Sequence, residues 1–454
     1  MRHCRFLTPV VSLFLLLLLL GTSPAAEPTW LVGMARAKIT PEKGLWMAGY
    51  AARDRPAEGT LHDLWVKVLT LQTPDGDRAV VVASDLLGFS QCMYDAICDE
   101  LKRRCDLERR QVMLTASHTH SSPVLRSALY DIYPLDRQQI ELIDAYSRDL
   151  EKTVVETVAK ALSQPAPAVL CAGEGRTNFA VNRRNNPQSQ VGELLARGAE
   201  LQGPVDHRVP VLAIRRPEGP LRAILFSYAC HCTTLSGYQW SGDYAGFAQI
   251  ALERSHPDAL AMFHAGCGAD QNPLPRREVR ICQRYGNMLS AAVEETLRTR
   301  LRPIAPRLQT ALDFVELPFQ ETLTEPQLQA AAKQGSYAGR RAVRLLKQLK
   351  EGKPLATSYR YPVQVWKLGD QQLWISLGGE VVVDYALRFK EAFGPTTWTT
   401  GYANDVMAYI PSRRVWEEGG YEAGAFSVYG LPTDRWTPEI EQRIAACVER
   451  LVRP

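Results

Sequence analysis

The sequence carries little net charge for its length. Across 454 residues, 53 Lys and Arg stand against 49 Asp and Glu, a formal charge of +4 with histidine neutral. A near-neutral chain does not advertise nucleic-acid binding. There is no internal repeat and no linker-like tract of Gly, Ser or single-sign charge, which argues against a solenoid or a string of tethered modules. Beyond the N-terminus no apolar run is long enough to span a bilayer. Histidine is scarce, with only eight residues, so any two that fall together carry weight.

What is present begins with an expected leader. Met1-Arg-His-Cys-Arg5 is positive, Leu15 to Leu20 lies within an apolar run, and Gly21-Thr-Ser-Pro-Ala-Ala26 supplies small residues after it. That order reads as a signal peptide over residues 1–26, cleaved near Ala26, and it predicts a secreted or periplasmic protein. Removing Arg2 and Arg5 and no acids lowers the charge from +4 to about +2. Of the 10 cysteines, Cys4 leaves with the leader. The odd remainder means that at least one thiol is free or paired between chains.

With 46% hydrophobic residues, residues 27–454 can bury a sizeable core as one catalytic domain. Strand-like segments at 30–35, 66–71, 79–83 and 112–116 are interleaved with a helix over 94–104, the alternation of an α/β layer. Residues 136–162 read as a long helix, with Ile140, Ile143, Val154, Val155 and Val158 three and four apart. Further strands are predicted at 168–171, 209–215 and 223–229, and helices at 244–255 and 279–297, with an apolar segment at 259–263 between them. Residues 363–368 and 371–377 form a hairpin across Gly369-Asp370, a last strand falls near 396–401, and a helix closes the chain at 438–452. Residues 323–353 read as a helical insertion with a solvated basic face of Arg340, Arg341, Arg344, Lys347 and Lys350. The fold class is α/β, with mixed sheets flanked by helices and a site at the strand ends.

The stretch that organises the rest is Thr115-Ala-Ser-His-Thr-His-Ser-Ser-Pro123. If the chain is extended there, residues two apart face the same way, so His118 and His120 project into one pocket and Thr119 faces out. His231 follows another strand, between Cys230 and Cys232. A Cys-His-Cys thiolate site is disfavoured, because neighbours on a strand point away from the middle residue. Glu380 follows a third strand after Gly378-Gly379. Two or three histidines with one carboxylate make a catalytic zinc shell that leaves a position open for water; loop histidines are the plainer alternative.

Several blocks in order resemble the neutral, non-lysosomal ceramidases. Residues 115–123 are similar to the TASHTHSGP signature of that family. The others are Val32-Gly-Met-Ala-Arg-Ala with Ile39-Thr-Pro, Met47-Ala-Gly-Tyr50, His231 with Ser241-Gly-Asp-Tyr-Ala-Gly246, Gly379-Glu380, Asn404 to Tyr409, and Tyr421 to Gly430. The resemblance implies a Zn2+ ion held by His118, His231, Glu380 and Tyr409. It implies His120 as a pocket residue for proton transfer or oxyanion binding, and Arg183 and Tyr421 as contacts of the scissile amide. Activity would be hydrolysis of a linear amide in a small-molecule or lipid substrate, with peripheral membrane contact.

Two departures qualify that expectation. Where the family carries Gly-Asp-x-Ser-Pro, this chain has Ala269-Asp-Gln-Asn-Pro273, and Asn272 cannot be acylated as a serine could. The C-terminal sandwich-like domain of the family is expected to be missing. An esterase or deacylase for a non-sphingoid substrate, and a non-catalytic binding protein with a decayed site, are the alternatives.

Overall fold

A computed structural model describes Met1 and residues 29–453, so the expected leader and its cleavage point lie outside the described residues. No helix among the described residues is long and apolar enough to cross a membrane. A nine-stranded mixed sheet is built from strands between Trp30 and Ile304. Its order is Leu260–Ala265, Leu221–Tyr228, Arg208–Arg215, Ala166–Arg176, Trp30–Lys38, Trp65–Gln72, Arg78–Ser84 and Val112–Ala116, with Arg302–Ile304 also paired to Ala166–Arg176. A second sheet runs Leu308–Pro318, Ser358–Leu368, Gln372–Leu377 and Trp398–Thr400.

Alternation along the strands explains the layering. In Arg78–Ser84, Val80 and Val82 point to one core while Ala79, Val81 and Ala83 point to another. Strand Leu221–Tyr228 repeats this, with Ile224, Phe226 and Tyr228 against Ala223 and Leu225. Strands buried on both faces need cover on both. On one face lie the helices Gln91–Cys105, Arg137–Leu162, Asp243–Ser255 and Val279–Arg298. The opposite face meets the second sheet through Trp30, Met113, Met262, Trp366, Trp374 and Trp398. The second sheet is covered in turn by Val383–Phe393 and Ile440–Val452. The result is helices, sheet, sheet, helices, each buried aliphatic side chain contributing roughly 1.5–3 kcal/mol of transfer free energy.

Two parallel pairs position the site. Arg78–Ser84 pairs with Val112–Ala116 across the helix Gln91–Cys105, and Leu221–Tyr228 pairs with Leu260–Ala265 across Asp243–Ser255. These βαβ units occupy opposite ends of the sheet. The sheet curls until Leu260–Ala265 lies alongside Arg78–Ser84 and Val112–Ala116. Buried Lys67 helps to close it, donating to Ala261 O at 2.7 Å and to Glu253 at 2.6 Å. The C-terminal ends of both pairs therefore meet, where α/β sheets bind ligands.

The expected insertion folds as two helices, Glu325–Ala331 and Tyr337–Lys350, the first opened by a Thr324–Gln327 capping box. Its basic face is not simply solvated. Arg341 is buried and donates to Leu431 O and Thr433 O, while Arg344 and Arg340 reach Asp131 and the carbonyls beside it. Those carbonyls come from segments distant in sequence, and they satisfy the guanidinium forks that would otherwise face water.

Candidate metal centre and substrate pocket

His118 leaves the strand Val112–Ala116 in the left-handed region, with φ 57°. The chain is not extended there, so the same-face argument for His118 and His120 rests on a conformation the protein does not adopt. The imidazoles converge all the same, with Nε2 atoms 3.3 Å apart. Thr119 faces away as expected: its hydroxyl donates to Ser241 O at 2.7 Å, and it bridges Cys232. That contact ties the His118 loop to the loop carrying His231. Asp243 holds the second loop by accepting the N–H groups of Thr234 and Leu235. The Ser241-Gly-Asp243 block is thus scaffolding for both histidines.

Each histidine has a fixed proton. His118 Nδ1 lies 2.7 Å from Leu87 O and His231 Nδ1 lies 2.8 Å from Gly268 O. A carbonyl can only accept, so both Nδ1 atoms carry hydrogen, and in the neutral tautomer this leaves each Nε2 lone pair directed at the pocket. Glu380 Oε2 lies 3.2 Å from His118 Nε2 and 3.0 Å from His231 Nε2. With both rings neutral, three buried acceptors meet at one point. Such a cluster is repulsive unless a cation sits among them, and this donor set fits a divalent metal. Ring nitrogens of His118, His120 and His231 also lie within 4.8 Å of one another, so the three imidazoles are close enough to share an ion.

Electrostatics agree with that reading. Burial, with Arg183 nearby, pushes the His231 imidazole down to about 4, so it is neutral at neutral pH. Burial and the neighbouring imidazoles likewise hold His120 well below its ordinary value. For Glu380 burial would raise the carboxyl, and it is held well below the carboxylate range only by positive charge and donated hydrogen bonds at the His118 and His231 positions, the role a cation among the three would take over. Neutral imidazoles and an ionised carboxylate are the protonation states of ligands.

Glu380 is placed by a short parallel pair in which Glu380 sits opposite Tyr409. Its second oxygen accepts from the Tyr429 hydroxyl, a contact that sequence reasoning missed although Tyr429 lies inside the Tyr421–Gly430 block. The Tyr409 hydroxyl is buried and accepts from Arg183 Nη2 at 3.3 Å. Cys230 and Cys232 point into the core, where burial pushes their thiols up, so neither is a thiolate ligand. All nine described cysteines are free.

The opposite wall of the pocket comes from a second short pair, Ala180–Asn182 antiparallel to Gln271–Pro273. Residues 176–186 are polar and carry little regular signal in the sequence; the short strand inside this stretch sets Arg183 beside Asn272. Asp270, another residue missed from sequence, anchors the pair: its backbone oxygen accepts from Arg183 N, and its carboxylate takes Asn182 and the N–H of Val383. Arg183 then divides its fork among Glu422 at 2.8 Å, Asn272 Oδ1 at 3.4 Å and Tyr409. Asn272 is buried and also accepts from Thr233 Oγ1 at 3.4 Å. Tyr421, 54% exposed, sets its ring edge-on to Tyr409 and beneath the Arg183 guanidinium. His120 fits under Gly49, whose φ of 97° and missing side chain leave room: a Cβ there would lie 2.4 Å from the ring. A cavity of about 520 Å³, lined by Arg183, Asn272, Arg276 and Tyr421 among others, opens onto this wall.

The expected site residues therefore lie in one pocket at the strand ends, drawn from seven separate segments. The family model for "Neutral/alkaline non-lysosomal ceramidase, N-terminal" matches residues 30–267, more than half of the chain. The neutral ceramidase of Pseudomonas aeruginosa is 25% identical over 232 residues, 49% of this chain and 33% of that protein. The matched stretch thus spans about a third of the length of that curated relative. The crystal structure of neutral ceramidase from Pseudomonas aeruginosa superposes with a TM-score of 0.70 at 19% identity, covering 94% of this chain and 75% of that one. A ceramidase complexed with C2 gives 0.69 at 18% identity, covering 94% and 76%. These two likenesses establish a shared fold that extends past residue 267 to the segments carrying Glu380, Tyr409 and Tyr421. The chain belongs to the neutral/alkaline non-lysosomal ceramidase family.

Proposed function

We propose that the protein is an exported zinc-dependent hydrolase of N-acyl amides. The observation that carries this reading is the buried convergence of His118 Nε2, His231 Nε2 and a Glu380 oxygen at 3.0–3.2 Å, with both Nδ1 atoms already committed to backbone carbonyls. His118, His231, Glu380 and Tyr409 would hold the ion. When bound, zinc supplies Lewis acidity at the scissile carbonyl and lowers the pKa of water to about 7.

The rest of the chemistry belongs to the chain. His120, a neutral imidazole whose Nε2 lies 3.3 Å from His118 Nε2, is the side chain placed to carry a proton to the departing amine. Arg183 and Tyr421 stand where charge develops on the amide oxygen, and Glu422 fixes the guanidinium in place. Asn272, at the family's serine position, offers no hydroxyl to acylate, so water is the nucleophile. Leu87 O, Gly268 O and the Tyr429 hydroxyl orient the ligands from behind. Export rests on the leader read from the sequence.

The test pairs metal analysis with turnover on a panel of N-acyl amines and matching esters. Substitution of His118 or Glu380 by alanine is expected to remove both metal and amide cleavage. Full activity in metal-free protein, or in Glu380→Ala, would contradict the proposal.

A further inference from the structure

The mouth of the pocket is built from charge rather than hydrocarbon. Arg183, Arg184 and Arg276 line it together with Glu418, Glu422, Gln188 and Asn272, and Tyr421 is its one aromatic. Two alkyl chains of a sphingoid lipid would find little apolar surface at this rim.

The charges at the rim do not balance. Glu422 is taken by Arg183 at 2.8 Å and Arg184 at 2.6 Å, and Glu418 by Arg184 and Arg414. No carboxylate among the described residues lies within ion-pair distance of Arg276. Its Nε and Nη2 donate to Gln188 Oε1 at 3.0 and 2.7 Å, and Nη1 reaches Thr233 O at 3.5 Å. Neutral oxygens thus hold the fork in position and leave two of its five N–H groups for a ligand. Arg277, the next residue, donates to the Tyr50 hydroxyl at 2.9 Å, and the Tyr50 ring lies edge-on to His120. Arg53 on the other side of Tyr50 spends its fork on His120 O and Gly237 O, both uncharged. Three guanidinium groups therefore surround the Tyr50–His120 side of the pocket with no carboxylate paired to them among the described residues. Burial, with Arg277 and Arg183 nearby, pushes the Arg276 guanidinium down to about 10, and it stays cationic at neutral pH. A half-buried, pre-positioned guanidinium lacking a partner is how proteins recognise carboxylates bidentately.

We infer that Arg276 is a specificity residue and that the amide substrate carries a carboxylate, which it binds at the mouth of the pocket. This deepens the hydrolase reading and rests on it for the position of the scissile bond. The carboxylate could belong to the amine half, as in an N-acyl amino acid, or to the acyl half, as in a succinylated amine.

Zinc-loaded wild type and Arg276→Gln would be compared on N-octanoylglycine, its neutral partner N-octanoylglycinamide, N-succinyl-octylamine and a short-chain ceramide. Cleavage would be followed by kinetics and binding of the same compounds by calorimetry. The expected result is a preference of about ten- to a hundredfold in kcat/KM for one carboxylate compound over the neutral amide, the size of a charge-assisted hydrogen bond. That ratio should collapse towards one in Arg276→Gln, chiefly through KM, and recover in part in Arg276→Lys. Whichever carboxylate compound wins identifies the half that bears the charge. Equal turnover of charged and neutral amides, or a preference untouched in Arg276→Gln, would overturn the inference and leave the hydrolase reading standing. Carboxylate-selective binding, lost in Arg276→Gln, with no cleavage of any compound would do the reverse.

Discussion

On the metal side of the pocket, His118 and His231 are each locked by a backbone carbonyl at 2.7–2.8 Å, and Glu380 by a buried phenol. On the substrate side, Arg183 reaches Asn272 at 3.4 Å and, across the pocket, the proposed ligand Tyr409 at 3.3 Å, Thr233 reaches Asn272 at 3.4 Å, and Tyr421 is half exposed. Backbone anchors cannot be mutated away, whereas side-chain contacts can be exchanged one at a time. The metal side is therefore the constant part of this pocket, and the substrate side is where specificity can drift. Asn272, which the sequence resemblance sets at the family's serine position, falls on the second wall.

Mutations should separate the two walls, starting with the largest effect. Glu380→Ala leaves two lone-pair nitrogens without their anion, so metal content by elemental analysis and amide turnover should both fall to background. Gly49→Ala drives a Cβ to 2.4 Å from the His120 ring at a φ of 97°. Turnover should drop by about a hundredfold or more, the scale of lost proton transfer, while metal content stays. Loss of metal in this variant would instead make His120 a ligand, erasing its assignment to the substrate wall. Tyr429→Phe removes one hydrogen bond to Glu380 and should weaken metal affinity by about 10- to 100-fold in a chelator competition.

The smallest effect concerns stability. His264 is buried, 3.1 Å from Thr400 Oγ1 and against Trp374. Burial pushes it down to about 3 from 6.5. The unfolded chain takes up this proton near pH 6.5 and the folded one resists, so stability is fully present above 6.5 and is lost as the pH falls towards 3. Denaturant midpoints should show wild type losing ground to His264→Gln between pH 6.5 and 4. A parallel decline would mean that other groups govern acid unfolding.

The contrast between the walls also explains what could be read in advance. Strands such as Val112–Ala116 and Leu221–Tyr228 are continuous apolar runs, and the helix Arg137–Leu162 has a clear face and an Asp136 cap. His118, His231 and Glu380 each follow such a strand, so their meeting at the strand ends could be expected from the sequence. The left-handed turn at His118 could not, because the sterics of a histidine give no sign of it. Leu308–Pro318 escaped notice since most of it is half-exposed on both faces, without apolar alternation. Arg183 and Asn272 meet through strands of three residues each, 89 apart in sequence, and no local pattern signals such a pair. Arg276 gained its meaning only from the carboxylates that are occupied elsewhere.

The most direct measurement is zinc titration of dialysed wild-type and Glu380→Ala protein, read by elemental analysis and X-ray absorption at the zinc edge. A single tight equivalent with nitrogen and oxygen neighbours, lost in Glu380→Ala, is the expected result. Failure of the wild type to bind, or sulfur in the coordination shell from Cys230 or Cys232, would contradict a centre built on His118, His231 and Glu380.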